Sequence, residues 1–476
     1  MSLIKSAGKL FAANVIRSLL GFVGIILFAR ILGATELGFY FLFQALLGMC
    51  AIPADFGINS ALKKRVSEGN ERNEYLTSAI LLKFITICVV SGIILLFENE
   101  VNNYIGAPLA VYLIFGLFTQ QYSQLMINTL HGELRVGETA SIELVEQFIW
   151  LGFGIFLILE GYGVVGLVYA FLAAQGIKFL IAWWRSNTQF GIPRRKHFTS
   201  VFDYSKFSVI SSIGGYAYSW VDILIIGFFL TASHVGAYEI AWRISGLVLL
   251  FSRSVGKTVF PQISEWSNDD FNQKIRRLVP KATTATLVIS IPAFFGTLLF
   301  STEILEIFFG QEYLLASTAL VILMFEKIPQ SVHKIWGYSL QAIDRPDLAA
   351  AATTISLATN VILNLLFVPM FGLTGAACAT ALSFVLNTSL HGYYLSRSVP
   401  LTLEYEKIAW CVLASIGMTS ILFSIQGTAN ISSEFTLIGI VTVGALIYFS
   451  FIVLYNPLRK DILSIIDSTT LGNGPN

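Results

Sequence analysis

Residues 31–40 read Ile-Leu-Gly-Ala-Thr-Glu-Leu-Gly-Phe-Tyr, and residues 229–238 read Phe-Leu-Thr-Ala-Ser-His-Val-Gly-Ala-Tyr. Both stretches are tight turns between long apolar runs, and both end in Gly-x-Tyr where the next run begins. The second stretch follows the first by 198 residues. A further pair, residues 163–166 and 372–375, has the pattern Gly-x-x-Gly and a separation of 209 residues. Two pairs in the same order at nearly the same separation indicate an internal duplication.

The composition fixes the class of protein. Of 476 residues, 55% are hydrophobic and only 12% are charged, and the mean hydropathy is +0.72. Soluble proteins carry about 25% charged residues, so a soluble fold is excluded. A helix crosses the bilayer with about 20 apolar residues, and open strands cannot cross it. This window predicts an all-α integral membrane protein with about fourteen transmembrane helices. The duplication divides it into two six-helix lobes, residues 1–190 and 191–400, and two further helices with a cytoplasmic tail, residues 401–476.

The distribution of charge predicts the orientation. The 30 Lys and Arg residues nearly balance the 29 Asp and Glu residues, so the chain lacks the strongly basic face that a nucleic-acid partner needs. If the N-terminus is cytoplasmic, the basic loop residues fall on the inner side and the predicted outer loops receive none. We therefore predict that both termini are cytoplasmic and that the protein spans the cell (inner) membrane an even number of times.

Charged residues within the predicted spans indicate where a substrate could bind, because an ionisable group at membrane depth usually faces a water-filled cavity. In the eighth predicted span, residues 234–260, four such residues fall within an arc of about 80° at 100° per residue: Glu239, Arg243, Arg253 and Lys257. Arg243 lies about 10 Å from the outer end and cannot easily reach water there. For Arg253 and Lys257, snorkelling to the cytoplasmic surface is an equal alternative.

Other spans add polar groups. In the tenth span, Glu326 and Lys327 begin a polar side that Lys334 continues, and the alternative is that Glu326 neutralises one of these lysines within a packed bundle. Arg17 lies one turn after Asn14 in the first span, and we expect it to face the cavity. Asp222, in the seventh span, is either a counter-ion for Arg243 or a cation-coupling acid. Lys83, Lys178 and Glu146 are expected to snorkel.

The excess of deep cations favours an anionic substrate such as phosphate, which Arg binds through its fork and Lys as a point charge. Tyr218 and Trp242 offer flat faces for sugars, although ordinary packing explains each of them equally well. The chain has no GxxxxGK[ST] phosphate loop and no metal-ligand spacing of histidines. We therefore predict a transporter without a cofactor, not an enzyme.

Several motifs together resemble a known family. In the first half these are residues 30–33, 36–40, 55–58 and 61–62, and in the second half residues 222–227, 235–238 and 369–377. They are similar to the polysaccharide transporter family, the Wzx-like O-antigen and oligosaccharide flippases, of the superfamily that includes the MATE drug exporters. The resemblance implies two lobes around a central cavity, and alternating access that moves a polyprenyl phosphate- or pyrophosphate-linked oligosaccharide from the cytoplasmic to the outer leaflet.

The resemblance also implies roles for the charged residues. The head group would be bound by residues from both halves: Asn14, Arg17, Tyr218, Trp242, Arg243, Arg253, Lys257, Lys327 and Lys334. Asp222, Glu239 and Glu326 would act as counter-ions or couple a cation. The partners implied are the lipid-linked glycan, membrane lipid and glycan-assembly proteins. Two alternatives stay open: a MATE-type exporter of cationic drugs, against which the first span has Arg17 and no acid, and a membrane transferase or scaffold that transports nothing.

Overall fold

The computed structural model describes residues 3–265, 271–399, 402–427, 431 and 433–460, and the side chains among them except residues 3–15, 207–219, 261, 265 and 271–273. This part of the chain is helical and contains no strand. The helices are α1 (Leu3–Asp55), α2 (Ile58–Ser67), α3 (Arg72–Leu96), α4 (Glu98–Ile105), α5 (Ala110–Gly132), α6 (Val136–Leu159), α7 (Gly163–Arg185), α8 (Arg195–Phe229), α9 (Ala232–Gly246), α10 (Leu249–Glu265), α11 (Phe271–Phe308), α12 (Ser317–Ala342), α13 (Pro346–Ser398), α14 (Tyr405–Gln426) and α15 (Glu434–Leu454). A 3₁₀ turn, Gln311–Ala316, precedes α12.

Many of these helices are long and apolar enough to cross a membrane. Within the described residues, nine helices meet that requirement, or eleven if each of two bent pairs is one span. At about 1.5 Å per residue, the 53 residues of α1 or α13 exceed twice the hydrocarbon thickness of about 30 Å. Both helices break at a glycine, α1 at Gly33 (φ 75°) and α13 at Gly372 (φ 57°), so each is long enough for two passes. The integral membrane all-α class is confirmed, and the count of fourteen stays a prediction.

The eighth predicted span differs from the prediction. Residues 234–260 were expected to form one helix, but α9 ends at Gly246, α10 begins at Leu249, and the two helices are bent by 46°. The break directly follows Ser245 and Gly246, a pair of residues at which helices commonly kink. Glu239 and Arg243 therefore lie on one helix, and Arg253 and Lys257 on the next. The prediction of one continuous charged stripe is wrong, because a fixed 100° per residue does not hold across the break.

The chain forms two compact units, Met1–Ala237 and Tyr238–Asn476. In the first unit α7 packs against α5 and α6, and α1 packs against α6 and α8. In the second unit α12 packs against α10, α11 and α13, and α11 also contacts α14 and α15. Packing groups α8 with the first unit, whereas the predicted lobes 1–190 and 191–400 follow the duplication, and that division stays a prediction.

The connection between α7 and α8 is held against the first unit. Oε1 of Glu133 accepts hydrogen bonds from the backbone N–H groups of Asn187 (3.0 Å) and Thr188 (2.9 Å) and from both side-chain hydroxyls of Ser186 (2.8 Å) and Thr188 (2.7 Å). Farther along, the Gly191 N–H donates to Thr77 Oγ1 at 3.0 Å. Burial raises the pKa of Glu133, but these hydrogen bonds outweigh it and hold the pKa below its usual range. We call residues 186–194 the strap.

Candidate functional site

Arg17 lies on α1 beside two carboxylates of α6. Its Nη1 is 2.9 Å from Glu143 Oε2, and its Nη2 is 3.9 Å from Glu146 Oε2. Residues three apart on a helix share a face, which is why both carboxylates reach the same guanidinium. The Arg17 side chain is 37% exposed, so part of its fork is still accessible. The structure therefore supplies Arg17 with a counter-ion that the sequence analysis did not identify.

The same acids connect Arg17 to two more helices. Lys178 Nζ, on α7, lies 3.0 Å from Glu146 Oε2, and Gln175 Nε2 donates to Glu146 Oε1 at 2.8 Å. Gln175 Oε1 in turn accepts a hydrogen bond from Ser123 Oγ of α5 at 2.7 Å. Lys178 is 2% exposed, so the expectation that Lys178 and Glu146 snorkel is wrong. The two cations and two carboxylates give this cluster a formal charge of zero.

A second buried lysine joins three helices in the first unit. Lys83 Nζ of α3 lies 2.9 Å from Asp55 Oδ1 of α1, and it donates to Asn59 Oδ1 of α2 at 2.8 Å and to the Gln121 carbonyl of α5 at 3.2 Å. Its side chain is fully buried. Snorkelling was expected for Lys83 as well, and that expectation is wrong because Asp55 compensates its charge inside the bundle. The arrangement is typical of a buried structural ion pair.

In the second unit, Arg243 has a counter-ion on its own helix. Arg243 Nε donates to Glu239 Oε1 at 2.8 Å, one turn away on α9. Glu239 is almost fully buried, whereas the Arg243 side chain is 36% exposed. The carboxylate thus orients the guanidinium from the buried side. Arg243 and Arg17 are alike in this respect, since each is about one-third exposed and bound by a glutamate.

Helix α12 places a lysine beside Trp242, the residue before Arg243 on α9. Lys327 and Glu326 form a close ion pair in which both side chains are buried. Lys327 Nζ also lies 5.5 Å from the centroid of the Trp242 ring, within the range of a cation–π interaction. The structure thus brings Trp242 and Lys327 together, and it bears out the alternative in which Glu326 compensates a neighbouring lysine.

The other predicted site residues are distributed as follows. Lys334 is half-buried on α12, within electrostatic range of Arg253, Lys327 and Glu326. Arg253 and Lys257 are exposed on α10. Asp222 is buried in α8 of the first unit, and its proposed pairing with Arg243 stays a prediction. The side chains of Asn14 and Tyr218 lie outside the described residues.

Two features of the structure were not predicted from the sequence, a histidine pair and the contact of Glu143 with Arg17. The rings of His333 on α12 and His391 on α13 meet edge to face with centroids 4.4 Å apart, and His391 Nδ1 donates to the Asn387 carbonyl at 2.9 Å. The two histidines lie on different helices, and no spacing in the sequence predicts their contact. For Glu143 a signal exists in the sequence, since it lies directly before the predicted span 144–160 and three residues before Glu146. Among the described residues, no three His, Cys, Asp or Glu side chains are arranged to hold a metal ion.

Comparison with known proteins gives a consistent set of relatives. Residues 27–318 match the model of the family "Polysaccharide biosynthesis protein", and residues 220–450 match that of "Lipid II flippase MurJ". The chain is 47% identical to the probable low-salt glycan biosynthesis flippase Agl15 of Haloferax volcanii, over 97% of this chain and 98% of the relative. It is 28% identical to the probable flippase AglR of the same organism, over 99% of each chain.

A solved structure has the same fold. The lipid II flippase MurJ in an inward closed conformation aligns with a TM-score of 0.80 at 21% identity, over 95% of this chain and 99% of that one. Together with the full-length relatives, it confirms the predicted class of membrane transporter.

Proposed function

Since the chain belongs to the polysaccharide biosynthesis protein family, we propose that it is a flippase for a polyprenyl phosphate- or pyrophosphate-linked oligosaccharide. Both full-length relatives are named as probable flippases. The names of Agl15 and of the solved structure specify glycan biosynthesis and lipid II, which supports a lipid-linked glycan as the substrate. The direction of transport, from the cytoplasmic to the outer leaflet, is the one that the resemblance to the oligosaccharide flippases implies.

One observation carries the proposal for the head group. Arg17 in the first unit and Arg243 in the second are each partly exposed, and each is bound by a glutamate at 2.9 Å or 2.8 Å. A guanidinium spreads its charge over five N–H donors, so the exposed part of each of these side chains attracts an anion. Phosphate oxygens accept such donors in a bidentate geometry. Two pre-oriented arginines therefore suit a phosphate or pyrophosphate better than a cationic drug.

In the proposed cycle, acidic residues either compete with the head group for an arginine or couple transport to a cation. When an anionic head group binds to Arg17, it competes with Glu143 and Glu146, and at Arg243 it competes with Glu239. We assign the head group to Arg17 and Arg243, with Lys327, Lys334, Arg253 and Lys257 contributing positive potential. Asp222, Glu239 and Glu326 are the candidates for coupling a cation. The lipid tail stays in the bilayer during alternating access, and no covalent step is required.

The test is transport by the full-length protein in proteoliposomes. A fluorescent polyprenyl-phosphate-linked oligosaccharide is placed in one leaflet, and its arrival in the other is followed by its accessibility to an added glycosidase. We expect the protein to accelerate this translocation over protein-free vesicles and to leave the efflux of a lipophilic cationic dye unchanged. Dye efflux without glycan translocation would contradict the proposal in favour of the drug exporter.

A further inference from the structure

Helices α1 and α6 run parallel and contact each other in a fixed register. Four successive contacts join residues that are 126 apart in the sequence: Arg17 with Glu143, Gly21 with Gln147, Gly24 with Trp150, and Phe28 with Gly154. The steps along each helix are three or four residues, so the contacting residues form one face of each helix. Starting from Arg17, each contact lies about 4.5–6 Å farther toward the predicted outer side than the one before it.

The second of these contacts leaves an amide nitrogen without a hydrogen bond. Gln147 is half-buried, and a Cβ atom added to Gly21 would lie 3.6 Å from its Nε2, so the amide rests on a residue that has no side chain. Gln147 Nε2 is buried, and no atom in the described part of the chain accepts a hydrogen bond from it. Burying an unsatisfied donor is destabilising, so this nitrogen indicates a site that water or a ligand completes.

Another glutamine of the same unit shows the contrast. Gln175 is buried, its Nε2 donates to Glu146 at 2.8 Å, and its Oε1 accepts a hydrogen bond from Ser123 at 2.7 Å. Both polar atoms of that amide are satisfied, as expected for a structural residue. Gln147 directly follows Glu146, yet its amide nitrogen has no such partner among the described residues. Packing therefore accounts for Gln175 but not for Gln147.

The third contact brings a further glutamine to this face. Trp150 Nε1 donates to the Tyr40 hydroxyl at 3.0 Å, and Gln44 Nε2 donates to the same hydroxyl at 3.0 Å. An edge-to-face contact with Phe28, at a centroid distance of 4.9 Å, fixes the Trp150 ring. Gln44 is half-buried, and within the described residues no donor is bonded to its Oε1. One amide with a donor to offer and one with an acceptor therefore lie near this face, one to two turns beyond Arg17.

We propose that Gln147 and Gln44 form a binding site for the sugar that is joined to the phosphate. This inference rests on the proposed function, which assigns the phosphate to Arg17. A sugar hydroxyl both donates and accepts, so it can satisfy the Gln147 N–H and the Gln44 oxygen. Both amides are neutral, and the neighbouring ionic cluster has no net formal charge, which favours a neutral sugar over an acidic one. The sugar then lies farther along α6 than the phosphate does, toward the predicted outer side.

Binding to the reconstituted full-length protein tests the site with two lipids, polyprenyl phosphate and the same lipid linked to glucose, a neutral sugar. We expect each amide to strengthen binding of the glucose-linked lipid about two- to tenfold, the effect of one hydrogen bond. Gln147→Leu should lower the preference for this lipid by that factor and keep the Kd for polyprenyl phosphate. Gln189→Leu is the matched control, because Gln189 is exposed on the strap, and it should bind both lipids as the wild type does.

Three results would overturn the sugar site. They are equal affinity of the wild type for the two lipids, an unchanged preference in Gln147→Leu, and an equal loss of affinity for both lipids in Gln147→Leu protein that unfolds at the wild-type temperature. The proposed function fails in a different way, which is that the wild-type protein binds neither lipid.

Gln44→Leu tests the second amide independently, on a different helix. We expect its Kd for the glucose-linked lipid to rise about two- to tenfold and its Kd for polyprenyl phosphate to stay at the wild-type value. A Kd that rises equally for both lipids, or for neither, would overturn the assignment of Gln44 to the site.

Discussion

The guanidinium of Arg17 and the carboxylate of Glu143 form an ion pair between α1 and α6, with Nη1 and Oε2 2.9 Å apart. In the proposed cycle, this carboxylate occupies the position that a phosphate oxygen takes when substrate binds. Glu143 therefore orients Arg17 before binding and competes with the substrate during it.

Glu143→Gln should bind the head group more tightly and turn over more slowly. Because the pair is partly exposed, removing the competing carboxylate should strengthen head-group binding by about 0.5–1 kcal/mol, which lowers the Kd about two- to fivefold. The Kd is measured by titrating the reconstituted protein with polyprenyl phosphate. Glu160→Gln, at the C-terminal end of α6, is the control. A weaker Kd for Glu143→Gln would show that the carboxylate does not compete with substrate.

Lys83→Met should destabilise the first unit. It leaves Asp55 without its buried partner, and breaking such a pair costs about 3–5 kcal/mol. Thermal unfolding of the detergent-solubilised protein measures the effect, with exposed Lys63→Met as the control. Lys83→Met/Asp55→Asn should recover part of the loss, since no buried charge is then unpaired. Equal unfolding temperatures for Lys83→Met and the control would mean that the pair contributes nothing.

Gly372→Ala tests the break in α13. The φ of Gly372 is 57°, and an added Cβ would meet nothing within 4 Å, so the cost is that of the backbone conformation alone. We expect about 1–3 kcal/mol of destabilisation, seen as a lower unfolding temperature. Gly439→Ala, within α15 and also with no neighbour within 4 Å, should be neutral or slightly stabilising. If both variants unfold alike, the break does not depend on glycine.

Glu71 should make the attachment of the strap dependent on pH. Hydrogen bonds from Lys196 and then His197 hold the pKa of Glu71 below its usual 4.5. The stabilisation is therefore present above the usual pKa and is lost as the pH falls through the lowered value. We expect the hydrogen-exchange protection of residues 186–194, corrected for intrinsic rates, to fall as the pH drops below the usual Glu pKa of 4.5. Glu71→Gln should show this loss already at neutral pH, and Glu68→Gln, which removes only the partner of Arg65, should not. If residues 186–194 of the wild-type protein are equally protected at neutral pH and well below the usual Glu pKa of 4.5, Glu71 does not hold the strap in place.

The sequence predicted most of what local chemistry determines. The predicted turn at residues 31–40 contains the break in α1, at Gly33, because a turn between two apolar runs favours a glycine at positive φ. Arg17 and Arg243 were selected as charges at membrane depth, and their role in binding the head group stays a proposal. What the sequence could not supply was partners between distant helices. Asp55 and Lys83 lie 28 residues apart, and Arg17 and Glu143 lie 126 apart, so only the packing of the bundle joins them. Because the acidic partners could not be assigned from the sequence, the buried lysines were expected to snorkel.

The break between α9 and α10 shows a different limit. The apolar run from residue 234 to 260 is continuous in hydropathy, and only Ser245 and Gly246 hint at a kink. Small residues occur at the interfaces of many straight membrane helices, so a Ser-Gly pair alone does not predict a bend. The consequence for the site is that Arg253 and Lys257 belong to a helix of different direction from that of Arg243.

The initial rate of glycan translocation by Arg17→Ala and Arg243→Ala tests the account most directly. Each substitution removes a charge-assisted contact worth about 1.5–3 kcal/mol, so each should slow translocation at least about tenfold in protein that is folded and inserted. Arg17→Lys and Arg243→Lys should recover part of the rate, because they keep the charge and lose the fork. Exposed Arg459→Ala should move glycan at the wild-type rate. If Arg17→Ala and Arg243→Ala both remain within twofold of wild type, these arginines do not bind the head group.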